Sequence, residues 1–190
     1  MRLEERYQKE IVPKLQKTLG VKSPLAVPKV IKVVISMGVK EAKEDKKVIE
    51  NVSEQLAVIS GQKPKLCRAR KSIAAFKLGK GQPIGFCVTL RKQRAFDFLE
   101  KLFKIVLPRV RDFGGVSPKG FDGQGNYSLG IKEQTVFSEI NFSKIDKIRG
   151  LEVTVVTNAK SDQEAKVLLE ELGIVLYHVI YYYLIVDIHI

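Results

Sequence analysis

Residues 112–130 read DFGGVSPKGFDGQGNYSLG, with six glycines in nineteen positions. Gly115 and Gly120 have the spacing that opens a phosphate-cradling loop, but that loop continues Gly-Lys-Ser/Thr into a helix. Here Phe121 and Asp122 follow Gly120. The triplet Asp112, Phe113, Gly114 matches a kinase metal-binding triplet, yet no catalytic-loop signature accompanies it. Residues 79–85, GKGQPIG, lack the dinucleotide glycine spacing and lead into a strand pattern instead of a helix. The only two histidines, His178 and His189, both lie near the C-terminal end, so no histidine-based triad or zinc cluster can be assembled. Cys67 and Cys87 are too few for a disulfide framework and read as packed or incidental thiols of a reducing compartment. Enzymatic activity, a metal and a cofactor are therefore not expected.

Charge points elsewhere. The 190-residue chain carries a formal net charge of +12. Ten of its 33 Lys and Arg, and none of its 21 Asp and Glu, fall between Gln55 and Phe96. They are Lys63, Lys65, Arg68, Arg70, Lys71, Lys77, Lys80, Arg91, Lys92 and Arg94. Soluble surfaces normally intersperse the two signs, so a run without acidic relief predicts a polyanion partner, nucleic acid before membrane. Several phosphate contacts together release counterions and give strong, salt-sensitive binding. Phe76 sits among these cations and could stack on a base or anchor its own loop.

The elements that must hold these residues are legible as periodicity. Leu3, Tyr7, Ile11, Leu15 and Leu19 form a helical stripe closed by Gly20, with Pro13 inside it. Residues 27–39 are β-branched and read as a strand. Val48, Val52, Leu56 and Ile59 place a helix over 45–60, stopped by Gly61. Residues 63–85 read as a basic hairpin with a long loop, returning through a strand at 84–90. Ala95, Leu99, Leu102, Phe103 and Val106 predict a helix ended by Pro108. Residues 151–157 alternate as a strand, and Ser161 with Glu164 forms a capping box for a helix ending at Gly173. The pattern predicts an α+β fold: a mostly antiparallel sheet, helices packed on one face, and long loops. The other face is left open for binding. One domain over 1–173 is expected, followed by an apolar tail, 174–190, reading IVLYHVIYYYLIVDIHI. That tail is shorter than the roughly 20 residues a membrane helix needs and contains Asp187. It reads as a strand or an aggregation-prone end. The first ten residues, MRLEERYQKE, have no apolar signal-peptide region.

Longer motifs carry a resemblance. Residues 60–91, SGQKPKLCRARKSIAAFKLGKGQPIGFCVTLR, and 107–134, LPRVRDFGGVSPKGFDGQGNYSLGIKEQ, strongly resemble the universal family of large-subunit ribosomal proteins that anchors 5S rRNA, number five of that subunit. SMGVKEA at 36–42 and RGLEVTVVTNAKSDQEAKVLLEELG at 149–173 follow in the same order. The resemblance implies an antiparallel α+β fold without catalysis or cofactor, in the central protuberance of a bacterial-type cytoplasmic ribosome, or of an organellar one. It implies binding to 5S rRNA and large-subunit rRNA through Ser36, Met37, Gly38, Gln62, Lys63, Arg68, Lys71, Thr89, Arg91 and Lys92. It implies that a loop with Ser72, Ala75, Phe76, Lys77, Lys80 and Gln82 approaches P-site tRNA. It also implies an intersubunit bridge to a small-subunit head protein through Arg109, Arg111, Asp112, Phe113, Gly114 and Lys119, among other central-protuberance proteins.

The chain departs from the family at Ser36, where Asn is usual, and at Gly79 to Gly81, where Arg-Glu-Gly is usual. Cys87 stands at an often basic position and Gly114 at one often Arg. The tail lies outside the resemblance. Two other readings of the basic stretch remain: a free RNA-binding module or regulator, and a membrane-associated protein using lipid headgroups.

Overall fold

The computed structural model describes residues 1–43, 46–111, 113–141 and 145–176. Five antiparallel strands form one sheet in the order β2-β3-β1-β5-β4: β1 Val30–Gly38, β2 Lys65–Arg68, β3 Pro83–Leu90, β4 Tyr127–Ile131 and β5 Leu151–Thr157. Strand period two divides the sheet. Val33, Ile35 and Met37 of β1, Phe86, Val88 and Leu90 of β3, and Leu151, Val153 and Val155 of β5 are buried on one face. Gly85 aside, the opposite face stays partly or fully exposed.

Helices cover the buried face only. α1 Leu3–Arg6 and α2 Val12–Thr18 are joined by a π turn at Tyr7–Ile11 into one helical rod. α3 is Lys46–Ser60, α4 Gln93–Lys101 and α5 Asp162–Leu172. The stripe Leu3, Tyr7, Ile11, Leu15 joins Leu56, Leu99, Leu102, Leu168 and Leu169 in one core cluster with the strands. The Tyr7 hydroxyl, buried, donates to the Pro28 carbonyl at 2.8 Å. Burial pushes its pKa up to about 12.

Pro13 does not break the first helix, for a geometric reason that recurs. A proline removes one helical N–H and its ring crowds the carbonyl four residues back. In both places the chain widens into a π turn ending two residues earlier: Tyr7–Ile11 before Pro13, and Leu102–Val106 before Pro108. The Val12 and Leu107 N–H groups then reach back five residues, to the Tyr7 and Leu102 carbonyls. The wider turn moves the crowded carbonyl aside and keeps both apolar stripes on the core.

α5 begins and ends as the sequence predicts. The Ser161 hydroxyl accepts from the Glu164 N–H at 3.3 Å, while the Glu164 carboxylate reaches back to the Lys160 N–H at 2.9 Å. At the other end Gly173 adopts φ 112°, and the Ile174 N–H bonds the Leu169 carbonyl. That is the left-handed glycine termination that satisfies a helix's last carbonyls. The packed chain continues past it: Ile174 and Leu176 are buried, and the Val116 N–H donates to the Val175 carbonyl at 2.8 Å. The remainder of the tail, 177–190, lies outside the described residues. Among the described residues no helix is long and apolar enough to cross a membrane.

Candidate nucleic-acid interface

The uncovered sheet face is ordered in rungs, one of which crosses all five strands. Register pairs Gly130 with Glu152, Glu152 with Ser36, Ser36 with Cys87, and Cys87 with Lys65. One step to one side, Gly38 pairs with Gly85 and Gly85 with Cys67. One step to the other, Ser128 pairs with Thr154, Thr154 with Val34, and Val34 with Thr89. Small and polar side chains therefore floor much of this face, and none of the described helices lies above it. The two thiols share the floor with Ser36 and Lys65. Burial, then contact with Cys87, pushes the Cys67 thiol pKa up, away from thiolate character. Gly85 is enforced by strand proximity, since a Cβ there would stand 2.3 Å from the Met37 carbonyl oxygen.

Cations fringe the β2–β3 side. All ten basic side chains between Gln55 and Phe96 are exposed. Lys77 aside, none of them makes an ion pair with a described carboxylate. Two are aimed by neutral partners. Arg68 donates to the Gly81 carbonyl at 3.0 Å, and Arg94 donates to the Gln62 side-chain oxygen at 3.2 Å. Gln62 in turn donates to the Thr89 carbonyl at 3.3 Å, tying the end of α3 to β3. Lys92, between β3 and α4, is held at φ 52°, ψ −135°, a backbone region that disfavours side chains.

The loop between β2 and β3 is shaped by its backbone. The Ala69 N–H donates to the Gln82 carbonyl, the Gly81 N–H to the Ala69 carbonyl, and Ile73 and Leu78 form a bridge. Side chains finish it: the Gly79 N–H donates to Gln82 and the Lys80 N–H to Ser72. A 3-10 turn at Ala74–Phe76 ends on Lys77 in the left-handed region, with Phe76 70 % exposed at the tip. Phe76 is thus an aromatic presented to solvent at the loop tip.

The glycine-rich segment is built differently. Asp122 accepts from the Gln124 and Asn126 N–H groups and from the Asn126 side chain, and the last of these contacts leads in holding its carboxyl below the usual range. Asp162, at the start of α5, accepts from the Gly123 and Gly125 N–H groups at 3.0 and 2.8 Å. Gly125 has φ 79°, and a Cβ there would lie 2.9 Å from the Ala159 carbonyl oxygen. The segment then enters β4, where Tyr127 is buried against Phe121 with ring centroids 4.7 Å apart. Gly120 and Gly125 are enforced by internal packing, whereas a Cβ at Gly123 or Gly130 would meet nothing within 4 Å, and the last residues of the segment form an edge strand.

The residues expected at the RNA surface separate by face. Ser36 and Thr89 lie on the open face, with Gly38 at its edge. Lys63, Arg68, Lys71, Arg91 and Lys92 are exposed beside it. Met37 is 1 % exposed and its side chain belongs to the core, so only its backbone can meet a ligand. In the loop, Ser72, Ala75, Phe76, Lys77, Lys80 and Gln82 are all exposed. Arg109, Arg111, Gly114 and Lys119 are exposed and Phe113 half-buried, while Asp112 lies outside the described residues. Sequence reasoning passed over Glu152. A single acid in an alternating strand reads as ordinary solvent contact until register puts it beside Ser36.

A bare antiparallel face, fringed by cations of which nine have no described acidic partner and flanked by a presented aromatic, defines a polyanion-binding protein. Comparison with known proteins gives that class a family. Residues 23–78 match the sequence model of ribosomal protein L5, and residues 83–176 match the separate model of that ribosomal family's C-terminus. The chain is 58 % identical over 172 residues to "Large ribosomal subunit protein uL5" of Caldanaerobacter subterraneus subsp. tengcongensis, covering 90 % of this chain and 96 % of that one. It is 59 % identical over the same length to the protein of that name in a Thermoanaerobacter species, with the same coverage. Against the Geobacter sulfurreducens protein it is 53 % identical over 177 residues, 93 % of this chain and 99 % of that one. The chain belongs to the ribosomal protein L5 family. It is accordingly a non-enzymatic ribosomal protein, a constituent of a ribonucleoprotein particle.

Proposed function

We propose that this chain is a structural protein of the large ribosomal subunit that docks 5S rRNA on its open sheet face and anchors it in the central protuberance, against large-subunit rRNA and neighbouring proteins. The observation that carries this reading is a helix-free face bordered by nine exposed cations that have no described acidic partner. Ser36, Gly38, Thr89 and the Met37 backbone form the floor of the contact. Gln62, Lys63, Arg68, Lys71, Arg91 and Lys92 form its rim.

Two further contacts follow from the same frame. The tip with Ser72, Ala75, Phe76, Lys77, Lys80 and Gln82 stands clear of the sheet and is assigned to P-site tRNA. Its exposed ring and cations suit stacking and phosphate contact. Arg109, Arg111, Phe113, Gly114 and Lys119 are assigned to a small-subunit head protein. The glycine-rich segment that follows the two arginines, 112–130, sets only Lys119 against Asp112 and Asp122, which suits a protein partner better than a polyanion.

Photo-crosslinkers placed at Lys63, Phe76 and Lys119 in intact ribosomes test the three assignments together. The expected products are, in turn, 5S rRNA, tRNA and a small-subunit protein. A chain that sediments only in light gradient fractions, or a Lys63 product containing protein alone, would sink the reading.

A further inference from the structure

The five strands contain one acidic residue, and it stands on the open face: Glu152. On electrostatics alone it is misplaced, because a carboxylate facing a phosphate backbone repels it. Its surroundings do not neutralise it. Glu152 is exposed, makes no ion pair among the described residues, and accepts one hydrogen bond, from the Ser36 hydroxyl at 3.4 Å, near the long limit for such a contact. Its second oxygen has no described partner.

The floor around it is shaped for something flat. Ser36, Gly38, Gly130, Lys132, Gly150 and Glu152 help line a shallow basin of about 530 Å³. Gly130 and Ser36 are the register neighbours of Glu152 on either side. A Cβ built on Gly38 or Gly130 would meet no atom within 4 Å, so protein packing leaves this room unfilled. A glycine inside a strand weakens it and marks a place where a ligand can come close to the backbone. Lys132, at the rim, offers a cation for a flanking phosphate.

We infer that Glu152 is a specificity-determining residue that reads an unpaired guanine in the bound RNA. A carboxylate can only accept hydrogen bonds. The Watson–Crick edge of guanine presents two adjacent donors, N1–H and N2–H, which match the two carboxylate oxygens. The other bases each place an acceptor beside their donor on that edge and would meet the second oxygen with repulsion. Unpaired bases splayed onto a protein surface are the usual targets of sequence-specific RNA reading. The assignment rests on the proposed docking of 5S rRNA to this face, and it gives the acidic half of the sheet a role distinct from the cationic half.

The two explanations of Glu152 predict opposite signs. Full-length chain and its Glu152→Gln variant would be titrated with 5S rRNA and with poly(U), which has no guanine, across a salt series. The variant keeps the shape, loses the charge and turns one acceptor into a donor. The inference expects 5S rRNA affinity to fall about tenfold. The salt slope should stay unchanged because no phosphate contact is lost. Poly(U) affinity should hold or rise. Equal or tighter binding of both RNAs by the variant overturns the inference and leaves Glu152 a mere like-charge penalty. A wild-type chain with no preference for 5S rRNA over poly(U) overturns the docking assignment, and this inference with it.

Discussion

Two loops flank the sheet at opposite edges, and both are rich in glycine. The β2–β3 loop, 69–82, beside edge strand β2, is strongly basic and closes on itself through short-range bonds. The segment at 113–126, before edge strand β4, is bonded to residues far along the chain, at Asp162 and Thr157, and its Gly125 packs closely on Ala159. Glycine content therefore says little about adaptability. What separates the loops is where their backbone groups find partners. The first can answer to an external ligand, whereas the second is part of the folded body.

Equivalent substitutions should expose that difference. Gly125→Ala combines a left-handed backbone with a contact of 2.9 Å to fixed main chain. It should lower unfolding free energy by about 3 kcal/mol, read by denaturant titration. Gly81 has an equally left-handed φ of 86°, but a Cβ there meets nothing within 4 Å. Gly81→Ala should cost about 1 kcal/mol, the backbone penalty alone. Equal losses would erase the distinction between the loops. Ser161→Ala, which removes the cap of the helix that holds the second loop, should cost about 1 kcal/mol as well. It should also leave the β2–β3 loop's amide exchange unchanged while speeding exchange at Gly123 and Gly125.

A smaller effect comes from acid. Asp146 is held below the usual carboxylate range first by the Arg149 guanidinium, which it grips through two contacts of 2.8 Å. A carboxyl depressed in the folded state contributes stability above its ordinary pKa of about 4, and that stability is lost as pH falls through the folded value. Asp146→Asn should flatten the low-pH side of the stability profile. An unchanged profile would remove Arg149 from the account. No such dependence is expected of the β2–β3 loop, which has no acidic residue.

Much of this architecture is readable from periodicity. The apolar stripes located every long helix, the alternation at 151–157 located β5, and Ser161 with Glu164 announced the α5 cap. β4 was hidden because Gly130 and the turn residues before it outweigh the alternation of Tyr127, Leu129 and Ile131. That alternation is the signal that would have found it. The stripe of the first helix is legible through Pro13, but the π turn that accommodates this proline is encoded by no local pattern. On the site, the cation run gave away the ligand class. The burial of Met37 and the placement of Glu152 depend on register, which is set by tertiary pairing.

The cationic rim and the open floor are proposed to act together on one polyanion. Lys63→Ala combined with Arg68→Ala tests this most directly, by 5S rRNA titration over a range of salt. Two lost phosphate contacts should weaken binding and lower the slope of log affinity against log salt by roughly 1.5 to 2. Unchanged affinity and slope would place the RNA on another face.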